Sequence, residues 1–219
     1  MSRGVRGVIL AGGEASRFSG QPKGLAEVGG ARIVDRLAAL LHQVLGLPPL
    51  LVANDPGAAG WNTGLDIVPD ARPGTGTLGG IYTAVASAAP VVCLAWDMPF
   101  VPPGLVRALA DGLSGADVVI PTSGGPRGLE PLCAAYGPAC LAPMTRALDA
   151  GDYRAMAFHS GVRVLRLEPG DLPPAARPPE EIDPFFNINT PDDLAEARAL
   201  WPHFASSPSS GGRTPERPR

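Results

Sequence analysis

The sequence predicts an α/β fold in which a mostly parallel, doubly wound sheet carries helices on both faces. Apolar runs of strand length alternate along the chain with segments of helical periodicity, which is typical of such sheets. Residues 91–95 are apolar throughout, as expected for a central strand that is covered on both faces. Residues 33–45 repeat apolar side chains at helical spacing, with polar residues on the opposite face.

The predicted elements follow one another in a regular order through the first half of the chain. They are strand 5–10, helix 33–45, strands 50–52 and 66–68, helix 81–88, strand 91–95, a helix that begins at Pro102-Pro103, and strand 117–120. Gly46 and Pro48 end the first helix, because neither residue continues a helix well.

The second half is less regular. It contains a strand or extended segment at 128–136, a helix at 141–148, a short helix at 152–159, an edge strand at 162–167 and a proline-rich surface loop at 171–184. A last helix begins after Thr190, with threonine as N-cap, Pro191 in the first position and two acids in the first turn.

Length and composition bound the domain organisation. The 219 residues are sufficient for a single buried core, and we expect one domain over residues 1–204. Residues 205–219 are rich in Ser, Pro, Gly and Arg without an apolar period, so we expect a disordered tail there.

Charge and cysteine content argue against several classes of protein. A net charge of −3 gives no electrostatic reason to expect binding to nucleic acid or to a membrane surface. The three cysteines have no metal-ligand spacing, and their odd number argues against a disulfide framework, so we expect buried thiols in a reducing compartment. No apolar stretch approaches the ~18 residues of a transmembrane helix. We therefore expect a soluble, cytoplasmic protein.

The first strand leads directly into a loop of small residues, Ala11, Gly12 and Gly13. A glycine-rich turn after a strand can bring backbone N–H groups close to phosphate oxygens. Arg17 and Lys23 follow within reach of such phosphates, and Lys23 is the only lysine of the chain. The loop matches neither the Walker A pattern nor GxGxxG, which argues against a P-loop protein and a dinucleotide-binding dehydrogenase.

Polar side chains follow three further predicted strands. Asn54, Asp70 and Asp97 each come after a strand, and ligands bind outside the carboxyl ends of strands in doubly wound sheets. One carboxylate such as Asp97 can hold Mg²⁺ while water and phosphate oxygens complete the coordination. The set therefore predicts a site for a nucleotide with a metal ion.

Structural interpretations of the same residues stay open. Asp97 could cap the following helix, Asp70 could be an ordinary loop acid, and Lys23 could lie on a solvated loop. His42 and His159 lie in or near helices and are interpreted as structural.

Several motifs together resemble the molybdenum cofactor guanylyltransferase family. They are LAGGEASRFSGQPKG, GTLGG, DMPF, EPLCAAY and FNINTPDDL, and they occur in the family's order over residues 5–201. The opening motif alone is shared by many nucleotidyltransferases of the superfamily. The resemblance implies a Rossmann-like fold of the nucleotide-diphospho-sugar transferase type. It also implies transfer of GMP from GTP to the terminal phosphate of molybdenum-bearing molybdopterin, with release of pyrophosphate.

The resemblance also implies roles for individual residues. The residues expected to contact the nucleotide are Leu10, Ala11, Gly12, Gly13, Lys23, Asn54, Asp70 and Asp97. Those with an expected catalytic role are Lys23, Arg17 and Asp97. Those expected to contact the pterin are Asn187, Asn189 and Arg154. Asp97 is the residue expected to bind Mg²⁺. GTP and molybdopterin are the implied substrates, with molybdenum-cofactor insertion and delivery proteins as further partners.

Two alternative functions remain at this stage. The first is a molybdopterin cytidylyltransferase or another nucleotidyltransferase of the superfamily. The ending Gln21-Pro22-Lys23 is shared with cytidylyl- and sugar-nucleotidyltransferases, whereas LAGG in place of LAAG favours GTP. The second is a non-catalytic nucleotide-binding or cofactor-delivery protein. The presence of both Lys23 and Asp97 argues against it, since binding alone does not require a metal site.

Overall fold

The computed structural model describes residues 4–12, 17–18, 21–124, 128–173, 177 and 179–207, with the backbone only at 17, 18 and 21. The predicted site residue Gly13 and residues 208–219 of the predicted tail lie outside this part of the chain. Of the predicted catalytic residue Arg17, only the backbone is described.

The described strands and helices alternate as the sequence predicts. The strands are β1 (Arg6–Ala11), β2 (Arg17–Phe18), β3 (Gln21–Pro22), β4 (Glu27–Val28), β5 (Ala31–Arg32), β6 (Leu50–Ala53), β7 (Asp66–Val68), β8 (Val91–Ala95), β9 (Val118–Pro121), β10 (Cys133–Tyr136) and β11 (Val164–Leu167). The helices are α1 (Ile33–Leu45), α2 (Gly76–Ala88), α3 (Pro103–Gly112), α4 (Leu141–Asp149) and α5 (Pro191–Ala205).

Seven of these strands form the central sheet, in the order β11-β9-β10-β8-β1-β6-β7. Strand β10 runs antiparallel to both of its neighbours, whereas the other neighbouring pairs are parallel. The predicted mostly parallel α/β sheet is therefore confirmed. Strands β2 with β3 and β4 with β5 form two small antiparallel pairs outside the sheet.

Several predicted elements are confirmed with their boundaries. All five residues of β8 are buried, as its apolar sequence requires. Helix α1 ends at Gly46, whose φ of 76° is the left-handed conformation that glycine adopts without a steric penalty. Thr190 caps α5, and its side chain accepts a hydrogen bond from the backbone N–H of Asp193, whose carboxylate accepts one from the N–H of Thr190.

Other predicted boundaries are wrong. Helix α2 begins at Gly76, five residues before the predicted start, so part of the second glycine-rich loop is helical. The predicted helix over residues 152–159 is wrong, because residues 152–154 have no regular structure, 155–158 form turns and only a short 3₁₀ helix begins at His159. The carboxylate of Asp152 accepts a hydrogen bond from the N–H of Arg154 and stabilises a local turn instead. Helix α5 continues to Ala205, one residue into the predicted tail.

The core has one layer on each face of the sheet. On one face Ile9, Leu51 and Leu94 pack with residues of α1, α3 and α5. On the other face Val8 and Cys93 pack with residues of α2 and α4. The three cysteines are free and buried, as predicted. No described helix has the length and apolar character that crossing a membrane requires.

The strand order determines where a ligand can bind. Strand β1 pairs with β6 on one side and with β8 on the other, and the chain passes from β1 through β6 and β7 before it crosses back to β8, so the direction of strand addition reverses at β1. A crevice forms at such a switch point, outside the carboxyl ends of the strands. In this chain that edge carries Gly12 after β1, Asn54 after β6 and Asp97 after β8.

Candidate active site

A cavity of about 920 Å³ lies at this edge of the sheet. Eight of the predicted site residues line it: Leu10, Ala11, Gly12, Asn54, Asp70, Asp97, Asn187 and Asn189. Lys23 and Arg154 are described but are not among the lining residues. The fold thus brings most of the predicted residues together, although they come from five separate parts of the chain.

Gly12 forms the floor of the cavity at the end of β1. Leu10 and Ala11 are almost fully buried, whereas Gly12 is exposed. A Cβ atom at Gly12 would meet no atom of the described residues within 4 Å, so packing against this part of the chain does not require glycine here. The space beside this backbone is open to a ligand, which is where phosphate oxygens could approach the N–H groups.

Asp97 follows the fully buried strand β8 and lines the cavity. Its backbone carbonyl accepts a hydrogen bond of 3.0 Å from the N–H of Ile188, which joins this turn to the segment before α5. Its side chain is 16% exposed. Burial raises the pKa of the Asp97 carboxyl above its usual range, and the nearby Lys23 ammonium partly offsets that rise.

Lys23 is a buried cation beside the cavity rather than a mobile one on its surface. The residue is only 3% exposed, and its Nζ donates a hydrogen bond of 2.6 Å to Oδ1 of Asn189. The same Nζ lies 4.0 Å from Oδ2 of Asp97. The interpretation of Lys23 as a residue on a solvated loop is therefore wrong.

The position of Lys23 depends on a close backbone contact next to it. A Cβ atom at Gly24 would lie 2.4 Å from Cε3 of Trp96, so the indole ring packs directly on the glycine backbone. Trp96 in turn packs against Trp61, with ring centroids 5.0 Å apart and the ring planes tilted by 34°. This packing holds the backbone of Lys23 against the turn that carries Asp97.

Asn54 and Asp70 form a reciprocal pair at the β6–β7 end of the cavity. The Asn54 Nδ2 donates to Oδ2 of Asp70 at 3.3 Å, and the Asp70 N–H donates to Oδ1 of Asn54 at 2.7 Å. The other Asp70 oxygen accepts hydrogen bonds from the hydroxyl of Thr83 at 2.7 Å and from the N–H of Arg72 at 3.0 Å. These bonds fix the direction of the Asp70 carboxylate.

Thr83 belongs to the hydrogen-bond network that holds Asp70, and the sequence analysis did not predict it. It is 1% exposed within α2, and its Oγ1 also accepts a hydrogen bond of 2.9 Å from the N–H of Ala71. The available signal was a hydroxyl on the inward face of a small-residue helix. That signal is weak, because threonine in a helix often bonds only to its own backbone.

The segment before α5 supplies Asn187 and Asn189. The Asn187 Nδ2 donates to the carbonyl of Phe185 at 2.7 Å, and the N–H of Asn189 donates to Oδ2 of Asp193 at 2.7 Å. That second bond is the main reason why the pKa of the Asp193 carboxyl lies below its usual range. The capped start of α5 therefore positions Asn189 at the cavity.

Arg154 is not brought to the cavity in this conformation. Its guanidinium pairs with the carboxylate of Asp152, with Nη2 and Oδ2 2.5 Å apart, and its side chain is 83% exposed. The hydrogen bonds from Arg154 lower the pKa of the Asp152 carboxyl to about 2. A role for Arg154 on the pterin side stays a prediction.

Two further segments line the cavity that the site prediction did not include. The first comes from the glycine-rich start of α2 and contributes Gly74, Gly76, Thr77 and Gly80. The second precedes β10 and contributes Leu129, Glu130, Pro131 and Leu132. The first segment contains the motif GTLGG and the second begins the motif EPLCAAY. Only the strand order shows that both lie near Asp97.

The donor set suits a hard divalent cation that keeps part of its water shell. No group of three or more His, Cys, Asp or Glu within the described part of the chain could hold a metal by itself. Asp97 instead offers one carboxylate at a cavity large enough for phosphate groups. Mg²⁺ is commonly bound by one or two carboxylates together with substrate phosphates and water, so the residues present fit this ion.

Comparison with known proteins gives consistent matches. Residues 7–164 match the family described as the MobA-like NTP transferase domain. A probable molybdenum cofactor guanylyltransferase of Pelotomaculum thermopropionicum is 37% identical over 197 residues, covering 89% of this chain and 92% of the relative. The molybdenum cofactor guanylyltransferase of Desulfosudis oleivorans is 33% identical over 199 residues, which cover 89% of this chain and 95% of the relative.

A solved structure shares the fold. The crystal structure of molybdopterin-guanine dinucleotide biosynthesis protein A from Archaeoglobus fulgidus superposes with a TM-score of 0.72 at 26% identity, covering 90% of this chain and 98% of that one.

Proposed function

The chain belongs to the molybdenum cofactor guanylyltransferase family, and from that premise we propose that it transfers GMP from GTP to the terminal phosphate of molybdopterin bearing molybdenum. The products are the guanine dinucleotide form of the cofactor and pyrophosphate. The observation that carries this proposal is one cavity, of about 920 Å³, which Gly12, Asp97 and Asn189 all line. Residues expected on the nucleotide side and on the acceptor side therefore face the same space.

The nucleotide lies along the β1, β6 and β7 side of the cavity in this proposal. The open backbone at Leu10–Gly12 faces its phosphates, and the Asn54–Asp70 pair contacts the nucleoside. Asp70 keeps acceptor capacity, because a carboxylate oxygen can accept more than one hydrogen bond. The family resemblance alone leads us to expect the side chain of Arg17 as a further cation near the phosphates.

The reaction needs positioning and charge neutralisation more than proton transfer. The acceptor is a phosphate monoester whose second pKa is near ~6, so its oxygen is already ionised at neutral pH. That oxygen forms a bond to the α-phosphorus of GTP while the bond to the bridging oxygen of the β-phosphate breaks, and pyrophosphate leaves. No general base is therefore required, and the protein's task is to align two anions.

Asp97 and Lys23 have different electrostatic roles in this proposal. Asp97 would hold Mg²⁺, which when bound neutralises phosphate charge and orients the α-phosphate. Lys23 compensates the charge of Asp97 and keeps Asn189 directed at the cavity, through the 4.0 Å and 2.6 Å contacts. Lys23 reaches the phosphates themselves only if its Nζ also turns toward the cavity.

The state of the cysteines supports a cellular compartment for the reaction. We place the reaction in the cytoplasm, and the three free buried thiols fit a reducing compartment. Proteins that insert or deliver the molybdenum cofactor would receive the product.

The decisive experiment measures pyrophosphate release with GTP, CTP, ATP and UTP in turn, each with Mg²⁺ and with or without molybdopterin. We expect release that requires both GTP and molybdopterin. Equal use of CTP and GTP would contradict the base assignment and favour the cytidylyltransferase alternative. Tight GTP binding without any release would instead support a non-catalytic binding protein.

A further inference from the structure

We propose that Glu130 and the apolar residues beside it form the subsite for the pterin ring of the acceptor. In this subsite the carboxylate accepts two hydrogen bonds from the N3–H and the 2-amino group of the pyrimidinone edge. This inference rests on the proposed function, because it takes molybdopterin as the acceptor. It gives a role to the segment before β10, which lines the cavity and contains none of the predicted site residues.

The strand order separates Glu130 from the nucleotide side. Asn54 and Asp70 follow β6 and β7 at one end of the cavity edge, and Asp97 follows β8 near its centre. Glu130 leads into β10, which lies on the opposite side of β8 from β1. A nucleotide that reaches from Asn54 to Asp97 therefore leaves the Glu130 end for the acceptor.

Glu130 is held in place by several hydrogen bonds. Its Oε1 accepts a hydrogen bond of 2.5 Å from the hydroxyl of Ser123, and its N–H donates to the carbonyl of Pro121 at 3.1 Å. The buried Tyr136 hydroxyl donates to the carbonyl of Pro131 at 2.7 Å, and the N–H of Ala95 donates to the carbonyl of Leu132 at 2.8 Å. The carboxylate is thus presented on a rigid backbone.

The charges of the cavity indicate what Glu130 can bind. The charged residues among the described lining are Asp70, Asp97 and Glu130, all of them acidic. A carboxylate repels phosphate, so we place the phosphates at the Asp97 end, where Mg²⁺ would neutralise their charge and Lys23 offsets the charge of Asp97. Glu130 needs N–H donors instead, because an ionised carboxylate only accepts hydrogen bonds.

The surroundings of Glu130 fit a flat heterocycle with such donors. Leu129, Pro131 and Leu132 line the same end of the cavity and offer apolar surface to the ring faces. A 2-amino-4-oxo pyrimidine presents N3–H and N2–H side by side, at the spacing of the two oxygens of one carboxylate. The pairing has the two-point geometry that gives charged hydrogen bonds their specificity.

The substitution Glu130→Gln tests the subsite with little change of shape. The Ser123 hydroxyl can still donate to the amide oxygen, but the amide N–H₂ then faces an N–H donor of the pterin. We expect KM for molybdopterin to rise about 10- to 100-fold, as for loss of a hydrogen bond to a charged group, while KM for GTP is unchanged. Glu196→Gln, on the exposed surface of α5, is the matched control.

Fluorescence titration provides a second measurement that does not depend on turnover. Wild-type protein should bind pterin at least about 10-fold more tightly than lumazine, which carries a carbonyl in place of the 2-amino group. The preference should disappear in Glu130→Gln and persist in Glu196→Gln. Equal binding of both compounds by the wild type, or a rise in KM for GTP alone in Glu130→Gln, would overturn the subsite. Pterin preference without any pyrophosphate release would support the subsite and contradict the proposed transfer.

Discussion

The ammonium of Lys23 donates a hydrogen bond of 2.6 Å to Oδ1 of Asn189, across 166 positions of sequence. The bond joins the segment that follows the glycine loop to the segment that begins α5. Because Nζ also lies 4.0 Å from Oδ2 of Asp97, one buried cation connects the residues expected on the nucleotide side, the metal side and the acceptor side. The role of Lys23 is therefore structural as well as electrostatic.

Replacing Lys23 by Met keeps the apolar stem and removes the cation. We expect kcat/KM for GTP to fall ~10²-fold or more, the scale of losing one charge-stabilising contact. Steady-state kinetics of pyrophosphate release provide the measurement. Arg166→Met removes an exposed cation from β11 and serves as the control. Unchanged kinetics in Lys23→Met would show that its ammonium has no part in catalysis.

The substitution Asp97→Asn tests the expected metal ligand. A neutral amide binds Mg²⁺ poorly, so we expect the Mg²⁺-dependent rate to fall by ~10²-fold or more. Burial already disfavours the charged carboxyl in the folded protein, as its raised pKa indicates, so the loss in folding stability should be much smaller than the loss in rate. Rates at several Mg²⁺ concentrations and urea unfolding measure the two effects. The exposed Asp111→Asn is the control, and full turnover by Asp97→Asn would exclude Asp97 as a ligand.

Thr83 should act on the nucleotide through Asp70. The substitution Thr83→Val keeps the volume and removes the hydroxyl that bonds to Oδ1 of Asp70 and to the N–H of Ala71. We expect KM for GTP to rise about 10-fold with a smaller change in kcat, since the Asp70 carboxylate loses its fixed direction. Thr83→Ser restores the hydroxyl and should restore KM. A variant whose kcat and KM match the wild type would show that the network is not used for binding.

Local sequence patterns predicted most of the fold for clear physical reasons. The continuous apolar run of β8 indicates a strand covered on both faces, and the threonine N-cap, the proline and the two acids at the start of α5 suit the first turn of a helix. The start of α2 was placed too late because glycines usually mark loops. In this chain Gly79 lies inside the helix, where a Cβ would approach Oγ1 of Thr75 to 2.1 Å.

Local rules predicted the site where residues follow strands, whereas Asn187 and Asn189, which also line the cavity, were expected from the family resemblance. Gly12, Asn54 and Asp97 could be placed at one edge because parallel strands end together. The bond between Lys23 and Asn189 and the position of Glu130 depend on contacts between distant segments, and on β10 running antiparallel to its neighbours. No local period in the sequence encodes those contacts, so they required the three-dimensional structure.

His159 should make the stability of the fold depend on pH. Its Nε2 is buried without a hydrogen-bond partner among the described residues, and its ring packs edge-on against Phe158 with centroids 4.8 Å apart. Burial lowers the pKa of the His159 imidazole below the usual 6.5, and the charge of Arg166 lowers it further. Between that lowered pKa and 6.5 the unfolded chain binds more protons than the folded one, so stability should rise as pH rises through this window and be complete above it.

The substitution His159→Gln removes this titration and should flatten the stability profile in the same window. The free energy of unfolding should then no longer rise across this window, because the variant has no imidazole that binds a proton only in the unfolded chain. Urea unfolding at a series of pH values between about 5 and 8 measures it, because carboxyl groups titrate mainly below that range. The same substitution at His42, on the exposed face of α1, is the matched control. Identical profiles for wild type and His159→Gln would contradict an energetic cost of protonating the buried imidazole.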